Sequence, residues 1–203
     1  MRRIHRQTPK ALLSGSTPHP AAPLSTPPTM GNIVTRCIAI ASLLISANTF
    51  ADALDTIHEK IKREFDVQHI SHNALAKVPA SNIILFDVRR LKEYKVSHIE
   101  HAIHLEPGTS TDDFFQQYAD TLNNKVVVFY CSVGQRSSKM LAKLNHRLTQ
   151  MGVEQAYNLE GGVFRSHNNQ SPLISEGKST RAIHPYNAYW GRLIDDKASI
   201  SYR

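Results

Sequence analysis

The chain has 203 residues, 41% of them apolar, and carries 24 Lys and Arg against 17 Asp and Glu, a formal charge of +7. That length allows one domain with extensions, and no stretch reaches the ~20 consecutive apolar residues of a membrane-spanning helix. Five basic residues (Arg2, Arg3, Arg6, Lys10 and Arg36) and no acidic one fall in residues 1–51, leaving 19 basic against 17 acidic residues beyond them, so the folded part lacks the basic field that a nucleic-acid partner requires.

Residues 1–29, with five prolines between Pro18 and Pro28, show no hydrophobic period and read as a disordered extension. Residues 30–53 read as a secretory signal peptide. Met30 to Arg36 is a short basic start, Cys37 to Ala47 an apolar run, and Ala51-Asp52-Ala53 a small-residue exit. A buried core helix is the alternative for that run. Cleavage is expected after Ala51 or Ala53, which places the mature protein in the periplasm, free of the membrane. If residues 1–29 are an untranslated upstream extension, translation starts at Met30.

Leu54, Ile57, Ile61 and Phe65 recur at helical spacing and predict an N-terminal amphipathic helix over 54–65. The domain proper is predicted over 66–170. It opens on a short strand, Val67 to Ile70, and a helix over 72–77 that Ser71 caps. Ile83 to Val88 is an apolar strand of the kind a sheet covered on both faces requires. Ala102 to Leu105 is a short strand, and a helix runs from Thr111 to about Thr121. Lys125 to Tyr130 is the central strand, followed by a helix over 137–151. Ala156 to Leu159 is the last strand, ended by Gly161-Gly162. This alternation predicts an α/β domain, with a mainly parallel central sheet flanked by helices on both faces. Residues 171–183 read as loop. Within the tail, 171–203, the aromatic stretch His184 to Ile194 is expected to pack back on the domain.

The central strand stops at Cys131, and Ser132, Val133, Gly134, Gln135 and Arg136 follow before the next helix. Strand, tight loop and helix in that order aim loop N–H groups and the positive end of the helix dipole at the sulfur. Arg136 adds a full charge, and the thiolate so favoured is a nucleophile. The bland alternative is a buried structural cysteine. Asp87, at a strand's carboxyl end, and Arg89 are candidate supporting residues, although Asp87 could equally hold the next turn or pair with a cation. Arg89 and Glu93 have the spacing of a helix-face pair. His98, His101 and His104 span a turn and a strand rather than one helix face, so no metal is expected. The only cysteines are Cys37 and Cys131, so signal removal would leave Cys131 as the only thiol.

Three stretches together resemble the rhodanese-like domain of the single-domain sulfurtransferase family. They are Asp87-Val88-Arg89 with Glu93-Tyr94, His98-Ile99 and Ala102-Ile103; the loop Cys131 to Arg136; and Tyr157-Asn158-Leu159-Glu160-Gly161-Gly162. The tail Pro185-Tyr186-Asn187-Ala188-Tyr189-Trp190-Gly191 resembles that of one bacterial subgroup. Ser97 and His101 stand where the family usually has glycine, Ser132 where many members have Arg, and Ser166 where a Trp usually follows the Gly-Gly. Trp190 could compensate for that last change. The resemblance implies a cysteine that takes a sulfane sulfur as a persulfide and passes it on. It also implies a thiosulfate:cyanide type of enzyme without a cofactor, acting on a small-molecule sulfur donor and acceptor, with a protein thiol as another possible acceptor. The missing cation at Ser132 predicts weak thiosulfate binding and a bulkier or neutral donor. A non-turnover persulfide carrier or sensor is the alternative. Related phosphatases and arsenate reductases use Cys-x5-Arg, whereas the loop here is Cys-x4-Arg, sized for one sulfur.

Overall fold

A computed structural model describes residues 53–153 and 155–203. The expected disordered extension and signal peptide, apart from Ala53, lie outside the described residues. A helix runs through 53–64 (α1). It is followed by β1 (His69–Ile70), α2 (His72–Leu75), β2 (Ile83–Asp87), α3 (Leu91–Val96), β3 (His98–Ile99), β4 (Ile103–His104) and α4 (Thr111–Leu122). Next come β5 (Val126–Tyr130), α5 (Gln135–Gln150), β6 (Ala156–Leu159), α6 (Gly162–Asn168), β7 (Leu173–Ser175), β8 (Lys178–Thr180) and α7 (Ala188–Gly191).

Five strands form one parallel sheet in the order β1-β6-β5-β2-β4. β5 lies at its centre and all five of its residues are buried. Successive side chains of a strand point to opposite faces. Val127 and Phe129 therefore pack with Phe86, Phe114 and Phe115 and with the apolar stripe of α5, Met140, Leu141, Leu144 and Leu148. Val126, Val128 and Tyr130 pack on the other face with Leu54 of α1, Val163 and Phe164 of α6, and Ile183 and Ile194 of the tail. The expected α/β architecture is thus present, with helices on both faces of a parallel sheet. Ser71 caps α2 as expected, its Oγ accepting from the Ala74 N–H at 3.2 Å, but the helix stops at Leu75. α5 starts two residues earlier than predicted, because Gly134 adopts φ +107° and turns the chain directly from loop into helix.

The expected loop over 171–183 is corrected. β7 and β8 form a hairpin that pairs with β3 into a second, antiparallel sheet. Its two-residue turn, Glu176-Gly177, has φ +50° and +74°, the positive values that favour tight hairpins. The tail then packs back on the domain: Ile183 and Ile194 are fully buried, and Ile183 pairs with Ile200.

Candidate active site

β5 delivers Cys131 to the carboxyl end of the sheet, where the residue is 1% exposed. The Gly134 N–H donates to Sγ at 3.3 Å. Gly134 suits this position because its φ is positive, and a Cβ would also crowd the Asn158 amide nitrogen at 3.0 Å. Burial opposes ionisation of the thiol. The Arg136 charge, the N–H and hydroxyl of Ser137 and the N–H of Val133 outweigh it and hold the thiol below its ordinary value.

Arg136 does not stand as a free charge at the end of the loop. Its guanidinium forks onto Glu93, Nη1 to Oε2 and Nη2 to Oε1 at 2.8 Å each, and Nη2 also donates to Ser132 Oγ at 3.0 Å. Glu93 is fully buried, whereas the Arg136 side chain is 26% exposed. Burial alone would raise the Glu93 carboxyl. The Arg136 hydrogen bonds and charge, with Arg89 and the Arg90 N–H, hold it below the usual carboxylate range instead. Ser132, in place of a second arginine, packs its hydroxyl between these partners.

The spacing of Arg89 and Glu93 suggested a helix-face pair, and the structure corrects this. Arg89 precedes α3, is fully buried and forks onto Asp87, Nε to Oδ1 at 2.9 Å and Nη2 to Oδ2 at 2.6 Å; Nη2 also reaches the Ser97 carbonyl. Asp87 and Arg89 therefore brace the turn after β2 and do not touch Cys131; Asp87 pairs in register with Tyr130, and the Arg89 charge acts on Glu93. Tyr130 is buried, and its hydroxyl accepts from the Ile99 N–H at 3.1 Å.

The histidines are structural. His98 stacks on Tyr94, ring centroids 3.8 Å apart, and His104 Nε2 meets the Arg89 carbonyl at 2.8 Å. His101 takes φ +63° in a position where a glycine would be unstrained. Among the described residues no group of three or more His, Cys, Asp or Glu is placed to hold a metal ion.

Two features escaped the sequence reading. Ser137, on the first turn of α5, donates to Asn158 Oδ1 at 2.6 Å, and Asn158 Nδ2 meets His69 Nδ1 at 3.2 Å, so β6 and β1 fix the hydroxyl beside the sulfur. The start of α6 also clasps the loop from behind. Val163 N–H donates to the Cys131 carbonyl at 2.9 Å and Phe164 N–H to that of Ser132 at 3.0 Å. Gly162, at φ +54°, makes this approach possible, because a Cβ there would lie 2.3 Å from the Cys131 carbonyl oxygen. The Gly-Gly spelling was a visible signal, but its purpose was not.

A cleft of about 150 Å³ is lined by Cys131, Ser132, Val133, Gln135, Arg136, Tyr186 and Trp190. Loop and tail are thus brought together, and Trp190 takes a place in the wall.

The family model for the Rhodanese-like domain matches residues 71–168. Those residues form a rhodanese-like domain. Curated relatives include the tRNA uridine(34) hydroxylase of Erwinia tasmaniensis, 29% identical over 53% of this chain and 31% of its own length. The protein of the same name from Buchnera aphidicola subsp. Baizongia pistaciae is 27% identical over 41% of this chain and 26% of its own. The chain spans between a quarter and a third of these relatives. Similar solved structures include the BH2092 protein from Bacillus halodurans, at TM-score 0.46 and 20% identity, covering 68% of this chain and 97% of that one. The rhodanese-like domain of Anabaena sp Alr3790 gives TM-score 0.42 and 18% identity, covering 53% and 78%. Within the rhodanese-like domain, the match takes in the Cys131 loop, Glu93, Asn158 and Gly162, and it stops before the tail that completes the cleft.

Proposed function

We propose that the chain is an exported single-domain sulfurtransferase that moves a sulfane sulfur through a persulfide on Cys131. The supporting observation is a buried thiol held below its ordinary pKa in a Cys-x4-Arg loop, with the Gly134 N–H on its sulfur. Thiolate attack on the sulfane sulfur forms an Sγ–S bond and breaks the donor's own bond to that sulfur. The electron pair leaves with the rest of the donor, as in thiol–disulfide exchange. The loop N–H groups and the α5 terminus then face an anionic terminal sulfur, and an acceptor such as cyanide or a thiol removes it. Neither step calls for a cofactor. Gln135 and Val133 shape the loop, and Arg136 fixes it through Glu93. The cradle is one residue shorter than a Cys-x5-Arg phosphate loop, which disfavours phosphatase and arsenate chemistry.

The name of the curated relatives refers to tRNA. The near balance of charge beyond residue 51 offers no field for an RNA backbone, so a nucleic-acid substrate is not part of the proposal. Export rests on residues 30–53, and recovery of unprocessed chain from the cytosol of the native host would refute it.

Intact-mass measurement tests the chemistry. The domain should gain one sulfur atom from a donor and lose it to cyanide, and Cys131→Ser should do neither. A Ser variant that still turns over donor would sink the assignment. The near-complete burial of Cys131 favours a carrier as the second reading, identified by stable loading without turnover.

A further inference from the structure

The cleft over Cys131 has one wall from the loop and another from the tail. Its only cation is Arg136, which a fully buried carboxylate already holds with two hydrogen bonds. A small dianion entering the cleft meets an arginine already forked onto a carboxylate, not an unpaired one.

The tail side is built with care. Tyr186 adopts φ +65°, a conformation costly for a bulky residue and kept only where the surroundings enforce it. Its N–H donates to Nδ1 of His184, itself 1% exposed, at 3.0 Å. The same turn sets its ring 5.0 Å from the Arg136 guanidinium carbon and 5.8 Å from that of Arg90. Trp190 lies on α7, whose start is capped by Asn187 Oδ1 accepting from the Trp190 N–H at 3.0 Å, and joins Tyr186 in the cleft lining. The Trp190 ring also packs against the buried core of that face. Two aromatic side chains, one held in a strained turn, thus line a cleft of about 150 Å³ together with Cys131. An apolar cavity of about that volume takes a benzene-sized guest.

We infer that the cleft selects an organic sulfane donor carrying a flat apolar body about the size of one six-membered ring, in preference to a small inorganic dianion. This inference rests on the proposed sulfur transfer at Cys131. Thiosulfonates, R–SO2–S⁻, isolate the effect because only R changes. The Cys131 thiolate attacks the terminal sulfur, the Sγ–S bond forms, and the S–S bond breaks with its electron pair leaving on the sulfinate R–SO2⁻. Two anions give a persulfide anion and a sulfinate, so charge balances without an outside oxidant or reductant.

The experiment measures second-order rates of sulfur loading, by quenched intact mass, for benzenethiosulfonate, methanethiosulfonate and thiosulfate. A free thiol run in parallel gives the intrinsic reactivity of each donor. After that correction the domain should prefer benzenethiosulfonate over methanethiosulfonate by about tenfold or more, as expected when a ring leaves water. Thiosulfate should be slowest. Tyr186→Ala and Trp190→Ala should each cut the preference severalfold, Tyr186→Phe should keep it, and thermal melts should verify that each variant folds. A corrected preference near one in the wild type would overturn the donor class while leaving sulfur transfer standing, whatever the variants do. Failure of every donor to load Cys131 would overturn both.

Discussion

The charge that matters most at Cys131 is shared. Arg136 lowers the thiol pKa and at the same time neutralises Glu93, so its removal has two consequences. Arg136→Ala should shift the midpoint of a rate-against-pH profile for thiol alkylation upward. It should also destabilise the domain by about 3 kcal/mol, the lower end for breaking a buried pair, because Glu93 is left charged in the interior. Glu93→Gln in the same background should restore much of the stability and none of the reactivity; denaturant melts and alkylation separate the two. The pH dependence has a definite sign. The Glu93 carboxyl is depressed on folding, so its contribution is complete above the unfolded value of about 4.3 and is lost as pH falls through the lower folded value. An Arg136→Ala domain should lose that acid-side dependence. At His101, φ +63° strains a side chain that makes no use of it, and His101→Gly should raise stability by about 1 kcal/mol in the same melts.

β5 and α6 meet behind the loop, and their meeting tolerates no side chain. Gly162→Ala would drive a Cβ into the Cys131 and Ser132 carbonyls at a positive φ, and should cost about 3 kcal/mol or more. Because the displaced groups are the loop's own carbonyls, sulfur loading should fall with stability; an Ala variant with wild-type melting would show that α6 can retreat. Elements of this kind differ in how plainly they are spelled. The five-residue run Val126–Tyr130 could be read because both of its faces are buried, and the Cys131 loop because its members are consecutive. The hairpin of β7 and β8 was harder to see. Its strands have three residues each, too few to establish a period, and its turn uses Glu176-Gly177 in place of the more familiar Asn-Gly. Glu93 was visible as a residue but not as a partner, since 43 positions separate it from Arg136 and only the packing of α3 against the loop joins them. Asn158 was hidden in the same way inside an apolar strand.

Taken as a body, the domain is closed by its tail. Ile183 and Ile194 are fully buried against Val128, Val163 and Phe164. Ending the chain at Ala182 should therefore cost about 3–6 kcal/mol in apolar burial alone, enough to lower the melting temperature sharply and expose the sheet face to aggregation. The measurement is a thermal melt followed by light scattering, and a truncated chain that melts like the intact one would show the tail to be dispensable. Tyr186, which walls the cleft, follows Arg136 by fifty positions, with β6, α6 and the hairpin made in between. At about 5–20 residues per second, a ribosome finishes the nucleophile some 3–10 s before it makes the wall. In that interval the loop also lacks β6 and α6, the elements that fix and clasp it. On the inferred donor selection, discrimination rests with a segment made late that supplies none of the reacting atoms. On that proposal reactivity and selectivity sit in separate passages of the chain, joined where the Tyr186 ring meets Arg136.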